Sequence, residues 1–280
     1  MSDNFNLFQA VILGMVQGLT EFIPISSTAH LKAVPEFLGW GDPGITFTAV
    51  IQLGSIFAVF WYYREKLIQL LNGTFKAVQS SNYQSQDFRI SLGIVVGTFP
   101  IAIVGLLLKF SGVYTDDSPL RSMSAIAIAS IVMALLLAIA EYIGKRKREF
   151  ENLNTKDGIL MGVAQTLALI PGVSRSGSTI TAGLFINLQR STAGDFSFLL
   201  GIPAITLAGL VELKDAFDQQ IPSNEWLNLG VGVISATIFS YLAIAWLINY
   251  LKKHNTWVFI VYRLAFGLFI IGAISRGMQF

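Results

Sequence analysis

Apolar residues in this chain fall into long uninterrupted runs rather than alternating with polar ones. Six runs approach the ~20 residues needed to cross a bilayer as a helix: 45–63, 90–109, 122–143, 196–212, 227–250 and 256–275. Two other stretches follow a different plan. Residues 6–40 hold an apolar run, then "PISSTAH", then a second short run; residues 158–187 repeat this around "PGVSRSGST". Their apolar pieces, such as Gly158 to Ile170, are too short to cross alone. The pattern predicts two re-entrant helical hairpins, each broken at a Pro. Broken backbone at membrane depth is tolerated where it is buried in protein or lines a wet cavity.

Composition agrees with this pattern. The 280 residues are 53% apolar and only 13% charged, about half the charged share of an average soluble domain. The fold expected is an all-α polytopic membrane protein of one domain, 1–280, with two re-entrant hairpins and about six full spans. The bilayer is the expected partner, and no nucleic acid is expected. Cys is absent, which excludes disulfides, thiolate metal sites and a Cys nucleophile. The opening "MSDNFN" has no basic stretch, so no cleavable signal peptide is expected.

The net charge of +2 matters less than its distribution. If 158–187 enters and leaves on one side, then 64–89, 144–157, 188–195 and 251–255 share that side. They hold twelve of the nineteen Lys and Arg residues, as cytoplasmic loops do. "YTDDSP" (114–119) and "ELKDAFDQQ" (212–220), both net acidic, fall outside. The loop near Gly41 also falls outside, so the first hairpin dips in from there and both termini face outward.

The two hairpins align without gaps at an offset of 148. Gly14/Gly162, Gln17/Gln165, Leu19/Leu167 and Ser26/Ser174 are identical, and Pro24 and Pro171 fall one position apart. This suggests approximate repeats 1–143 and 150–280. Oppositely inserted hairpins are what an inverted-topology repeat produces, with a site near the midplane. The differences carry the chemistry: Glu21 aligns with Leu169, and Ser27 with Arg175.

In 171–179, Pro and Gly free backbone N–H groups near a helix start, an arrangement that suits phosphate. Arg175 adds a planar fork of donors. Ser174, Ser176, Ser178 and Thr179 add hydroxyls. A snorkelling Arg with Ser and Thr as packing glue would account for the cation but not for the helix breakers around it. In the first hairpin, Gln17 and Glu21 share a helix face. A carboxylate at that depth costs at least ~2.5 kcal/mol and reads as functional; a divalent cation or Arg175 would offset the cost. Ser26, Ser27 and Thr28 follow Pro24, and His30 suits proton transfer or nucleophilic attack near neutral pH. His254 reads as a solvated loop residue and Asp195 as a helix cap. Arg263 is left with three readings: snorkelling, or pairing with Glu141 or with Glu21. Trp40, Trp61, Trp226 and Trp257 fall near interfaces, as an aromatic belt does.

"QGLTEFIPISSTAH" and "PGVSRSGST" resemble, in order and spacing, the two signatures of the undecaprenyl-diphosphate phosphatases, the bacitracin-resistance family. The resemblance extends over essentially the whole chain. It implies hydrolysis of a C55 polyprenyl diphosphate lipid to the monophosphate and inorganic phosphate, which recycles the carrier for peptidoglycan synthesis. It also implies dependence on Mg²⁺ or Ca²⁺, an active site open to the periplasmic side of the inner membrane, and bacitracin resistance. The catalytic residues it implies are Glu21, Ser27, His30 and Arg175. Ser26, Thr28, Ser174, Arg175, Ser176 and Thr179 would bind phosphate, and Glu21 and Gln17 the metal. Where some members carry a second acid this chain has Gln17, which counts against a mechanism needing two acids in the first motif. The expected division of labour has Arg175, the freed N–H groups and the metal clamping the diphosphate. Ser27 or a water attacks, and His30 handles the proton. The same midplane site also suits a polyprenyl-phosphate flippase or an ion-coupled transporter. Covalent or direct attack, the identity of the metal, chain-length selectivity and oligomeric state stay open at the level of sequence.

Overall fold

The computed structural model describes residues 6–112, 118–218 and 223–278. Within them lie α1 (Leu7–Phe22), α2 (Ser27–Phe37), α3 (Gly44–Tyr62), α4 (Arg64–Gln79), α5 (Gln86–Phe110), α6 (Met123–Ile143), α7 (Thr155–Gln165), α8 (Arg175–Phe185), α9 (Arg190–Asp218), α10 (Ser223–Lys253) and α11 (Trp257–Ser275). The six apolar runs become α3, α5, α6, α9, α10 and α11. Five of these qualify as spans by length and hydropathy; α3 qualifies together with α4, from which it bends by 72°. The protein is an all-helical, multi-pass membrane protein.

Helices α1 and α2 form the first hairpin, α7 and α8 the second. Each is seated by glycines. A Cβ on Gly18 of α1 would stand 2.7 Å from the Ala236 carbonyl oxygen of α10, and one on Gly14 would strike that of Gly232. Gly158 and Gly162 of α7 meet Gly93 and Gly97 of α5 in the same way. Small residues permit this backbone approach within a membrane. In both seams the numbering rises together, so α1 runs parallel to α10, and α7 to α5.

The remaining contacts relate these two directions. Helix α3 is parallel to α10, with Ile51 near Gly232 and Ser55 bonded to Ser240. It is antiparallel to α9, where Leu53 meets Gly209 and the Tyr63 hydroxyl donates to Asp195 at 2.6 Å. Helix α5 runs parallel to α9, with Lys109 Nζ 3.3 Å from Glu212. Therefore α1 and α7 point in opposite directions, and the hairpins enter from opposite ends of the bundle. Each is gripped by a span from the other half of the chain. Phe22 at the end of α1 packs edge-on against Phe198 of α9, at 4.9 Å between ring centroids, within a core that includes Met161, Ile180, Leu184 and Leu247.

Two local expectations change. The segment after α3 is not plain loop: "REKLIQLLNGTFKAVQ" is the amphipathic helix α4, burying Leu70 and Ala77. A search for continuous apolar runs passes over a helix whose apolar positions are spaced at three and four. Helix α9 starts at Arg190 and runs through Asp218. Asp195 is therefore internal, held by Tyr63 rather than capping a helix, and Glu212 lies inside the helix rather than in a loop. The basic "GKRKREF" segment passes along the base of the second hairpin. There Arg148 makes a bidentate pair with Asp157 at 2.8 and 2.6 Å and exchanges main-chain bonds with Asn187 and Gln189. The hydrogen bond to Asp157 makes the Arg148 guanidinium hold its proton more tightly than usual. Most of "YTDDSP" and the end of "ELKDAFDQQ" lie outside the described residues.

Candidate active site

Both hairpin tips end on a serine in an unusual conformation. Ser26 has φ 76° and Ser174 φ 72°, a region that costs a non-glycine residue about 1–3 kcal/mol and persists where the surroundings impose it. These are the two serines aligned at the offset of 148. Each caps the helix that follows: Ser26 Oγ accepts from Ala29 N at 3.4 Å, and Ser174 Oγ from Gly177 N at 3.1 Å. The turn thus places Ser27 and Arg175, the next residues, at the starts of α2 and α8, where the first N–H groups have no intrahelical acceptor.

The two chemically distinct positions of the alignment meet here. Glu21 is buried. Its Oε2 accepts from Ser27 Oγ at 2.6 Å and from Gln17 Nε2 at 3.1 Å. Its Oε1 accepts from Arg175 Nη2 at 3.3 Å and Nε at 3.4 Å. Arg175 Nη1 donates to the Ser197 carbonyl at 3.2 Å. Its guanidinium lies where a Cβ on Gly201 would sit, so only glycine at 201 leaves it room. A hydroxyl, a carboxylate and a guanidinium, drawn from both hairpins, therefore converge on one point. Ser–carboxylate contact at this distance suits an activated nucleophile.

The other expected site residues divide into groups. Ser26 and Thr28 hydroxyls lie 3.1 Å apart, as near neighbours of Ser27. Ser174 and Ser176 hydroxyls lie 3.2 Å apart. Ser176 also donates to the carbonyls of Glu21 and Ile23, at 3.2 and 3.3 Å, stitching α8 to the first tip. Thr179 bonds the Arg175 carbonyl at 2.8 Å and Ser197 Oγ at 2.6 Å. Fully buried, Ser176 and Thr179 join helices to one another through these bonds.

His30 belongs to a different network from the one expected. Nδ1 lies 2.7 Å from the Ser26 carbonyl, which can only accept, so Nδ1 carries the proton. Nε2 then accepts from the Tyr262 hydroxyl at 2.6 Å. The ring also stacks on Phe266 at 4.7 Å. The Ser27 hydroxyl is directed to Glu21 instead.

Four residues on other helices complete the site. Ser55 of α3 accepts from Gln17 Nε2 at 3.3 Å and from Ser240 of α10 at 2.8 Å. Tyr262 and Arg263 reach in from α11. Arg263 neither snorkels nor pairs with Glu141 or Glu21; it donates to main-chain carbonyls of both tips. Glu141 is instead held by Arg190, Arg146 and Thr256. A cation within an apolar span was the signal for Arg263. Serines on spans carry no such signal, being common packing residues.

For a divalent cation the described residues offer no cluster of three or more His, Cys, Asp or Glu. They do offer the Glu21 carboxylate and Gln17 Oε1, which is buried and has no hydrogen-bond partner. One carboxylate and one carboxamide fit a hard cation that takes its other oxygens from phosphate and water.

A family model described as bacitracin resistance protein BacA matches residues 10–269. The chain is 62% identical to an undecaprenyl-diphosphatase of Trichormus variabilis, over 99% of this chain and 86% of that one. It is 62% identical to one of Synechocystis, over 98% and 84%, and 58% identical to one of Synechococcus elongatus, over 99% and 96%. The chain is thus a multi-pass membrane protein in which Ser27, Glu21 and Arg175 meet where two broken helical segments converge. The chain belongs to the bacitracin resistance protein BacA family.

Proposed function

We propose that the protein hydrolyses undecaprenyl diphosphate to undecaprenyl phosphate and inorganic phosphate, and so returns the lipid carrier to peptidoglycan synthesis and confers bacitracin resistance. The observation that carries the mechanism is the 2.6 Å contact between Ser27 Oγ and Glu21 Oε2. Ser27 Oγ attacks the terminal phosphorus while Glu21 takes its proton. The new Oγ–P bond forms as the bond from phosphorus to the bridging oxygen breaks, and undecaprenyl phosphate leaves with the proton that Glu21 took from Ser27, so that Glu21 is again a carboxylate. Glu21 then draws a proton from a water that attacks phosphoserine, releasing phosphate and restoring the hydroxyl. Arg175 and the N–H groups at the start of α8 hold the phosphate oxygens. His30, bonded by Ser26 and Tyr262, orients the tip that carries Ser27.

Glu21 and Gln17 Oε1 are the protein ligands for Mg²⁺ or Ca²⁺ in this reading; when bound, the ion supplies charge neutralisation at the phosphate oxygens. The prenyl chain stays in lipid. The site faces the periplasmic side of the inner membrane, since the basic segments gather at the other end of the bundle. The test is phosphate release from a prenyl diphosphate in detergent, with and without EDTA, followed by rapid acid quench and mass spectrometry. Release that EDTA suppresses, with phosphate trapped on Ser27, is expected. No release would favour a transporter using the same site, and release with phosphate on no residue would favour direct attack by water.

A further inference from the structure

Arg263 is buried at 1% exposure in α11, and all four of its hydrogen bonds go to main-chain carbonyls. Nη1 donates to Pro24 at 3.0 Å. Nη2 donates to Gly172 at 2.7 Å and Val173 at 3.1 Å. Nε donates to Ser130 of α6 at 3.2 Å, while Ser130 Oγ donates back to the Arg263 carbonyl at 3.3 Å. No carboxylate pairs with it among the described residues. One side chain thus joins the tip of the first hairpin, the tip of the second, and the α6–α11 pair behind them.

Three of the four acceptors, Pro24, Gly172 and Val173, are carbonyls the helix breaks set free. Pro24 and Gly172 lie in the turns between α1 and α2 and between α7 and α8, two residues before the positive-φ serines. Buried unpaired carbonyls are costly, and in a bilayer no water is at hand to satisfy them. A guanidinium presents five donors in a rigid fork, so it can serve three directions together; a lysine ammonium is a compact point charge. The local packing keeps the fork in place: a Cβ on Gly177 would stand 3.1 Å from Nη1.

We propose that Arg263 is a positioning residue that sets the separation of the two hairpin tips, and with it the distance from Ser27 and Glu21 on one to Arg175 on the other. It touches none of the reacting groups and acts only through the tip backbones. The two hairpins enter from opposite ends and are gripped by different spans, so the catalytic groups they carry need a common reference. This rests on the reading of Ser27, Glu21 and Arg175 as the reaction centre.

The chain has no cysteine, so a spin-label pair can be introduced directly. Leu19 and Leu167, equivalent positions on the two hairpins, are exposed; L19C/L167C is expected to keep its turnover. In that background Arg263→Met should broaden the inter-label distance distribution. It should lower kcat roughly 100-fold, as misplacement by about 1 Å does, with KM within about threefold. Arg263→Lys, which keeps the charge without the fork, should broaden it too, and decides the matter if the Met variant does not fold. Ser27→Ala should abolish turnover with the distribution unchanged. An unchanged distribution in both Arg263 variants, wild-type turnover, or a change in KM alone would overturn the proposal. Turnover retained by Ser27→Ala would instead overturn the mechanism and leave the tip measurement standing.

Discussion

Glu21 is the residue on which the chemistry turns. Its two oxygens face different partners, Ser27 and Gln17 on one and Arg175 on the other. It can therefore accept a proton from Ser27 while still facing a cation. A carboxamide keeps the shape but accepts no proton. Glu21→Gln should lower kcat by about 10²–10⁴, the usual range for a lost general base, with the protein still folded; phosphate release at saturating lipid measures it, and near wild-type turnover would show that Ser27 is activated by something else. The pairing was half legible in sequence. Gln17 and Glu21 are four apart on one helix, so their contact follows from helix geometry. That Ser27 turns to Glu21 depends on the turn between α1 and α2, and that His30 turns to Tyr262 depends on α11, 232 residues further along.

At the scale of elements, the hairpin tips were legible because Pro and Gly interrupt apolar runs too short to cross. The conformation of the break was only partly so. Ser26 and Ser174 combine a cap with a strained φ, and the two effects separate by substitution. Ser174→Ala loses the cap, about 1 kcal/mol, and keeps the strain. Ser174→Gly loses the same hydrogen bond but relieves the strain, since glycine enters that region freely. The Gly variant should melt above the Ala variant in detergent; equal midpoints or the reverse order would mean that φ at 174 is not imposing a cost. Helix α4 went unseen because its apolar spacing is that of a surface-lying helix, which a search for bilayer-length runs ignores.

For the whole molecule, the opposed hairpins, the antiparallel α3–α9 pair, and α6 and α11, antiparallel because Thr256 bonds Glu141 while Gly267 meets Ala127, place 64–89, 144–157, 188–195 and 251–255 at one end. This agrees with the charge distribution in the sequence. Leu38 lies at the other end and is exposed, as is Ser80 at the basic end. In intact cells a membrane-impermeant maleimide should label Leu38→Cys directly and Ser80→Cys only after permeabilisation. Labelling in the opposite order would invert the proposed orientation and put the site's opening on the cytoplasmic side.

The sequence by itself determined the membrane class, the spans, the two broken segments and most of the groups they carry. Each of these is set by local hydropathy, by charge, or by residues a few positions apart. Tertiary structure alone decided which groups meet across different helices. Ser176 and Thr179 turned out to join helices, while Ser55, Ser240, Tyr262 and Arg263 entered the site from distant spans. Pairing across a bundle depends on glycine seams and on which buried carbonyls and hydroxyls lack a partner, and neither is set until the helices pack.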